Sequence, residues 1–301
     1  NSQLSWLRLE QEFSFELEDS FYWLLSKLDI HRFSFEQDPN NNLSKTLFIW
    51  LPLSEWSVDD QETLVQSFIS LAKTVDLPLS ACKWSHVKDE DWASTWKKNW
   101  EPDPIGKSIL ILPAWLEVPE RFSERKIIRL DPGSAFGTGS HSSTRLCIEA
   151  LDNDPPAGKT IADLGCGSGI LSLSALKLGA SCTVSVDIDS LAISATKMNS
   201  GLNYCQENLK VFLGSIEQLE ANMPVKKFDL ILCNILAPVL KSLGPSFEKI
   251  IGHKGKVILA GLLVDQIKEL QEFFSPLGWQ VIDIKTKDQW ALMVLTLKLF
   301  N

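Results

Sequence analysis

The chain has 301 residues, of which 45% are hydrophobic and 22% charged, a composition typical of a globular protein long enough for two domains. A net charge of −9 argues against a broad surface for nucleic-acid phosphates and favours a basic partner. No apolar run is long enough to cross a bilayer, and none of the six cysteines shows C-x-x-C spacing. We therefore expect no membrane span, no metal site, and reduced thiols in a cytoplasmic protein.

Residues 1–90 are predicted to form a small α+β domain. Their apolar patterns indicate a strand, a helix, two strands joined by an Asn-rich turn, a second helix and a last strand. These six segments are 5–13, 20–28, 32–36, 45–51, 58–75 and 82–87. This order is typical of a ferredoxin-like sandwich. We find no pair of nucleophile and base in it, so we interpret it as an interaction module.

Residues 91–118 are predicted to connect this module to the rest of the chain. Trp92, Trp96 and Trp100 recur every four residues, which places them on one face of a helix. We expect that face to pack onto a domain, and contact with a substrate is the alternative. Prolines, a glycine and a short strand at 109–112 follow, as in a connector that sets the angle between two bodies.

A glycine-rich loop opens the third part of the chain, residues 119–301. It reads Asp131-Pro132-Gly133-Ser134-Ala135-Phe136-Gly137-Thr138-Gly139-Ser140-His141, and a helix follows from about residue 142. Such a loop can fold over a bound cofactor, with Phe136 against it and Thr144 bonding to its polar end. A buried Phe136 anchoring an ordinary surface loop is the alternative. His141 is either a base or a structural residue.

A second glycine-rich segment, Asp163-Leu164-Gly165-Cys166-Gly167-Ser168-Gly169, lies between an apolar run at 160–162 and a helical pattern from residue 170. Glycine at 165 and 167 lets a ligand approach the backbone, and the first amides of the helix point into the turn. The G-x-G-x-G spacing is one residue tighter than the dinucleotide fingerprint. A tight turn that binds nothing is the alternative.

Acidic and amide side chains end three predicted strands. Asp163 ends the first, Asp187 follows the run at 182–186, and Asn234 follows the strand at 228–233. A carboxylate at 187 can accept both hydroxyls of a ribose, and Asp163 suits a cationic amino-acid group. This combination favours S-adenosylmethionine over NAD. Because ligands of open α/β sheets bind beyond the carboxyl ends of strands, the three side chains are expected to share one cleft.

The remaining patterns complete an alternation of strands and helices. It predicts an α/β fold with a mostly parallel, Rossmann-like sheet. The predicted segments are strands at 209–213 and 257–260, helices at 191–200 closed by Gly201 and at 237–251 closed by Gly252, and a final hairpin of 279–284 with 290–299.

The loop at 131–141, the turn at 163–169 and Asn234-Ile235-Leu236-Ala237 together resemble the PrmA family, bacterial methyltransferases of large-subunit ribosomal protein L-eleven (L11). The resemblance covers nearly the whole chain. It implies a class I S-adenosylmethionine-dependent methyltransferase fold behind a ferredoxin-like substrate-recognition domain. It also implies cofactor contacts at four positions: Thr144, Gly165, Asp187 and Asn234.

Five more residues are assigned to the cofactor site from the loop and the turn. They are Phe136, Gly137, Thr138, Asp163 and Gly167.

Asn234 and Ile235 are the candidate catalytic residues. The side-chain oxygen of Asn234 and the carbonyl of Ile235 can accept hydrogen bonds from an amine and aim its lone pair at the methyl group. The aliphatic Ile235 and Leu236 leave room for an amine that already carries methyl groups, so repeated methylation is a hypothesis.

We therefore predict a protein methyltransferase acting on lysine side chains, the N-terminal α-amine, or both, of ribosomal protein L11. We expect a monomer with no direct nucleic-acid partner. The alternatives are another protein or small-molecule amine as substrate, a nucleobase methyltransferase, and a cofactor-binding scaffold or NAD oxidoreductase.

Overall fold

The computed structural model describes residues 5–28, 30, 32–88, 101–131, 142–223 and 226–298. The chain divides into two compact units, Asn1–Trp100 and Glu101–Asn301. The Trp-rich helix predicted near 91–100 and the loop 132–141 lie outside the described residues. Within those residues, no helix is both long and apolar enough to span a bilayer.

The described residues of the first unit form one sheet and two α-helices. Its elements are β1 (Ser5–Ser14), α1 (Glu18–Lys27), β2 (Phe33–Asp38), β3 (Asn41–Pro52), α2 (Val58–Thr74) and β4 (Lys83–Lys88). The strand order is β2-β3-β1-β4, and every neighbouring pair is antiparallel. This is the predicted ferredoxin-like arrangement, in which each helix connects two strands separated by a third.

Aromatic rings fill the space between this sheet and its helices. The ring of Phe21 on α1 packs edge-to-face against Phe13 on β1 at 4.9 Å and against Phe68 on α2 at 5.0 Å. All three side chains are buried. Ser57 begins α2 with a capping box, because its hydroxyl accepts from the Asp60 amide while the Asp60 carboxylate accepts from the Ser57 amide.

The second unit starts with a small three-stranded sheet. Its strands are β5 (Asp103–Ile105), β6 (Ile109–Pro113) and β7 (Lys126–Leu130), in that spatial order. All five residues of β6 are buried, and β6 runs parallel to β7. The stretch predicted as the end of a connector therefore contributes two strands to this unit.

A seven-stranded sheet forms the centre of the second unit. Its strands are β8 (Thr160–Leu164), β9 (Cys182–Asp187), β10 (Leu209–Leu213), β11 (Phe228–Asn234), β12 (Ile251–Leu263), β13 (Trp279–Lys287) and β14 (Trp290–Leu297). The order is β10-β9-β8-β11-β12-β14-β13. The first five strands in that order are parallel, and β14 pairs antiparallel with both β12 and β13. The strand order reverses between β8 and β11, which makes their carboxyl ends the topological switch point.

Helices connect these strands. They are α3 (Ser142–Asn153), α4 (Ile170–Lys177), α5 (Ser190–Leu202), α6 (Ile216–Ala221), α7 (Ala237–Leu243), α8 (Phe247–Ile250) and α9 (Ile267–Phe274).

Two predicted helix ends are wrong. Helix α5 runs through Gly201 and ends at Leu202. Its capping residue is Asn203, whose side-chain amide donates to the carbonyls of Asn199 and Arg129. The helix predicted at 237–251 is divided by a 3-10 turn, because Pro245 lacks the amide that an α-helix interior needs. Gly252 accordingly lies in β12.

Strand β12 is longer than predicted and contains a bulge. Its pairing with β14 passes from Leu259–Met293 to Leu262–Ala291, so β12 holds one more residue than its partner over this stretch. Gly261 lies in the extra stretch with a φ of +77°, in the left-handed region that favours glycine.

Candidate active site

The glycine turn follows β8 directly and has the backbone of a ligand-binding turn. Gly165, Gly167 and Gly169 have φ values of +78°, +55° and +83°, which side-chain-bearing residues rarely adopt. The amides of Gly165 and Cys166 both donate to the carbonyl of Val186 on β9, at 2.9 and 3.0 Å. The turn is therefore held at the carboxyl end of the sheet by its neighbouring strand.

Asp187 joins the end of β9 to this turn. One carboxylate oxygen accepts from the amide of Gly167 at 2.9 Å, and the other accepts from the amide of Asp189 at 2.9 Å. These contacts orient the carboxylate, and each carboxylate oxygen can accept more than one hydrogen bond. The acid predicted to bind a ribose thus lies one hydrogen bond from the glycine turn.

Asp163 lies deeper than the other predicted site residues. It is only 1% exposed, and its carboxylate accepts from the hydroxyl of Ser172 at 2.6 Å. The Ser172 hydroxyl is itself 2.7 Å from that of Ser185. Burial raises the pKa of Asp163 to about 6, and the neighbouring Asp187 adds to the rise. Its contact with a cofactor stays a prediction.

Asn234 ends β11 and meets the start of α3. Its amide nitrogen donates to the hydroxyl of Thr144 at 3.2 Å, although the two residues are 90 positions apart in the sequence. Thr144 is buried and Asn234 is half-buried. This hydrogen bond assigns the orientation of the amide, and it leaves the side-chain oxygen of Asn234 to accept from another group.

Ile235 lies between two glycines. A Cβ atom on Gly165 would be 2.8 Å from Cγ2 of Ile235, and a Cβ atom on Gly261 would be 2.8 Å from its carbonyl oxygen. The same Cβ atom on Gly261 would also be 3.2 Å from Oδ1 of Asn234. Ile235 therefore lies against both the glycine turn and the bulge of β12, and Asn234 lies against the bulge.

Sequence reasoning missed Gly261. The available signal was a glycine within an apolar strand pattern, which marks a bulge or a close approach of another group.

Helix α5 supplies two more site residues that sequence reasoning missed. The hydroxyl of Thr196 donates to the carbonyl of Gly167 at 3.0 Å, and the amide of Asn199 donates to the carbonyl of Ser168 at 2.8 Å. The side-chain oxygen of Asn199 accepts from the backbone amide of Asp131 at 2.8 Å. Polar residues spaced by three on the buried face of a helix were the available signal.

A family model described as ribosomal protein L11 methyltransferase (PrmA) matches residues 5–298. The chain belongs to the ribosomal protein L11 methyltransferase family. It is 48% identical over 92% of its length to a protein of that name from Parasynechococcus marenigrum, covering 96% of the relative. It is 45% identical over 98% of its length to another from Prochlorococcus marinus, covering 97% of that relative.

A solved structure agrees with this membership. The crystal structure of ribosomal protein L11 methylase from Lactobacillus delbrueckii subsp. bulgaricus is 30% identical, with a TM-score of 0.60. The similarity covers 66% of this chain and all of that one. The predicted fold class, a class I S-adenosylmethionine-dependent methyltransferase, is confirmed, and so is the resemblance based on the motifs.

Several residues predicted for this methyltransferase site are not placed by the structure. Phe136, Gly137 and Thr138, assigned to the cofactor, and His141, left open as a base, lie outside the described residues. Their roles remain predictions.

Three cysteines near the glycine turn are poor nucleophiles. Cys147, Cys166 and Cys233 are buried, and burial raises the pKa of each thiol. A free thiol in such an environment behaves as a small apolar side chain.

Proposed function

We propose that this chain transfers methyl groups from S-adenosylmethionine to amino groups of ribosomal protein L11, on lysine side chains, the N-terminal α-amine, or both. The supporting observation is that two oxygen acceptors, Oδ1 of Asn234 and the carbonyl of Ile235, lie together beside Gly261, while Cγ2 of Ile235 lies against Gly165 of the glycine turn at the switch point. Family membership favours L11 over the alternative, a different protein or a small-molecule amine.

The residues at the switch point fit an adenosine cofactor. The positive φ angles of Gly165 and Gly167 expose backbone that a side chain would cover. Asp187 suits the ribose hydroxyls, and Thr144 with Asn234 suits the amino-acid end. When bound, S-adenosylmethionine supplies an electrophilic methyl group on its sulfonium, so the protein contributes mainly alignment and exclusion of water.

The amine must be neutral and correctly oriented. A lysine amine has a reference pKa of about 10.4, so holding it neutral at pH 7 costs roughly 4 kcal/mol. An apolar channel favours the neutral form. Oδ1 of Asn234 and the carbonyl of Ile235 accept the two remaining N–H groups of the amine. Its lone pair then points away from both oxygens and toward the transferred methyl.

Charge supports recognition of a basic protein by the first unit. Residues 1–100 hold 16 acidic and 9 basic side chains, a net charge of −7 out of the total of −9. An acidic surface attracts a basic partner and accelerates encounter with it. We therefore assign substrate recognition to this unit.

Further details of the proposal follow from composition and site shape. All six cysteines are free, which supports a reducing compartment, and we therefore place the reaction in the cytoplasm. We take a monomer as the working form. The aliphatic side chains of Ile235 and Leu236 support repeated methylation of one nitrogen.

The test is incubation with methyl-labelled cofactor and either purified L11 or a whole ribosomal-protein extract. We expect one labelled band, at L11. Asn234→Ala removes an acceptor worth about 1–3 kcal/mol, so the rate should fall about 5- to 150-fold. Asn208→Ala is the matched control, because Asn208 is exposed and its side-chain amide donates to the carbonyl of Ser181 at 2.9 Å, away from the site.

Three results would contradict the proposal: L11 without label, labelling of other proteins in preference to it, and equal loss in both variants. Faster methylation of free lysine than of L11 would support the small-molecule alternative.

A further inference from the structure

Gly261 has a backbone conformation that its place in a strand does not explain. This residue has a φ of +77° at the bulge of β12 where pairing with β14 shifts. Bulges of this kind occur next to active sites, where they change the direction of a strand locally. The bulge lies opposite the end of β11, because Asn234 pairs with Ala260.

The missing side chain of Gly261 faces two particular atoms. A Cβ atom there would be 2.8 Å from the carbonyl oxygen of Ile235 and 3.2 Å from Oδ1 of Asn234. Its three nearest neighbours all belong to these two residues. A methyl group would cover one side of each oxygen or displace both, and an oxygen covered by carbon cannot accept a hydrogen bond from that side.

We propose that Gly261 is a positioning residue for methyl transfer, because a left-handed glycine at the β12 bulge keeps Asn234 Oδ1 and the Ile235 carbonyl uncovered for the substrate amine. This inference rests on the proposed function. It assigns the bulge a role in amine orientation, whereas the glycine turn at 165–169 serves the cofactor.

Two other glycines serve as controls that distinguish the effect of steric crowding at Gly261 from the effect of backbone strain. Gly158 and Gly278 have φ values of +70° and +88°, close to that of Gly261, but a Cβ atom on either would have no neighbour within 4 Å. Alanine at all three positions incurs the cost of a left-handed side-chain-bearing residue. Only at position 261 does the methyl group meet the acceptor oxygens.

The experiment compares Gly261→Ala with Gly158→Ala and Gly278→Ala in the full chain. Methylation of L11 by labelled cofactor gives kcat and KM, and calorimetry with S-adenosylhomocysteine gives cofactor affinity. We expect kcat of Gly261→Ala to fall about tenfold or more while cofactor affinity changes less than about threefold. Both control variants should keep the wild-type kcat, with losses in melting temperature similar to that of Gly261→Ala.

A wild-type kcat in Gly261→Ala, or an equal fall of kcat in the controls, would overturn the inference. Failure of the wild-type chain to methylate L11 would instead overturn the proposed function.

A structural measurement tests the same point if Gly261→Ala does not fold. The wild-type chain is crystallised with S-adenosylhomocysteine and a lysine-containing peptide of L11. We expect the amine nitrogen within about 3.2 Å of both acceptor oxygens and the Gly261 Cα within about 4.5 Å of the amine. An amine that approaches these oxygens from the side away from Gly261 would refute the positioning role.

Discussion

Replacing Asn199 by alanine should loosen the cofactor turn without touching the reacting atoms. The side chain makes two hydrogen bonds of 2.8 Å, donating to the carbonyl of Ser168 and accepting from the amide of Asp131. Asn199→Ala removes both. The same helix carries Lys197, which is exposed, so Lys197→Ala serves as the control.

The expected loss follows from burial. Ser168 is 0% exposed, so water cannot replace the bond to its carbonyl, and the cost there is about 1–3 kcal/mol. Asp131 is half-buried, and a bond at such a position contributes about 0.5–1.5 kcal/mol. Alanine returns about 0.5 kcal/mol through its higher helix propensity. The free energy of unfolding of the second unit should therefore fall by about 1–4 kcal/mol.

Hydrogen exchange of peptides spanning 160–205, measured along a urea series, reports that free energy for the second unit alone. Calorimetry with S-adenosylhomocysteine should show weaker binding. The dissociation constant should rise about tenfold for each 1.4 kcal/mol by which the substitution destabilises the turn. Asn199→Asp should be no better than alanine, because its carboxylate would face the Ser168 carbonyl. An Asn199→Ala variant with the stability and affinity of Lys197→Ala would refute this reasoning.

Three further substitutions test other contacts of the site. Thr144→Val removes the acceptor of the Asn234 amide and should lower kcat/KM for L11 about 5- to 30-fold in a labelled-cofactor assay, while Thr144→Ser should stay near wild type. Gly165→Ala should abolish binding of S-adenosylhomocysteine in calorimetry, and adding Ile235→Ala should restore part of it by removing the Cγ2 atom 2.8 Å away; no recovery would exclude the steric explanation. The pKa of Asp163 rises from 3.8 to about 6 on folding, so its contribution to stability is complete below pH 3.8 and is lost as pH rises through 6. Relative to wild type, Asp163→Asn should therefore gain about 2 kcal/mol of unfolding free energy between pH 4 and pH 7 in urea titrations, and a pH-independent difference would contradict this.

Local sequence patterns predicted most of the fold. The alternation of strands and helices predicted the parallel sheet, and the spacing of glycines at 165–169 predicted the turn, because both depend on residues close together in the chain. The two wrong helix ends show the limit of such patterns. Gly201 matches a helix stop, but hydrogen bonds between Asn203 and the distant Arg129 are formed where the helix ends, two residues later than predicted.

Residues of the site that sequence reasoning missed all act over long range. Asn199 bonds to Asp131, 68 positions away, and Thr196 bonds to Gly167, 29 positions away. Neither contact follows from periodicity alone, because the packing of α5 against the turn depends on how the helices pack on the faces of the sheet. The position of Gly261 in a bulge could be predicted only with the register between β12 and β14, which the sequence pattern does not contain.

The position of Ile235 between two glycines has a consequence for genetics. Its proposed contribution to the reaction comes from the main chain, which every amino acid possesses. A saturation screen should therefore find position 235 tolerant of varied aliphatic side chains, while residues 165 and 261, which have no side chain, resist every replacement.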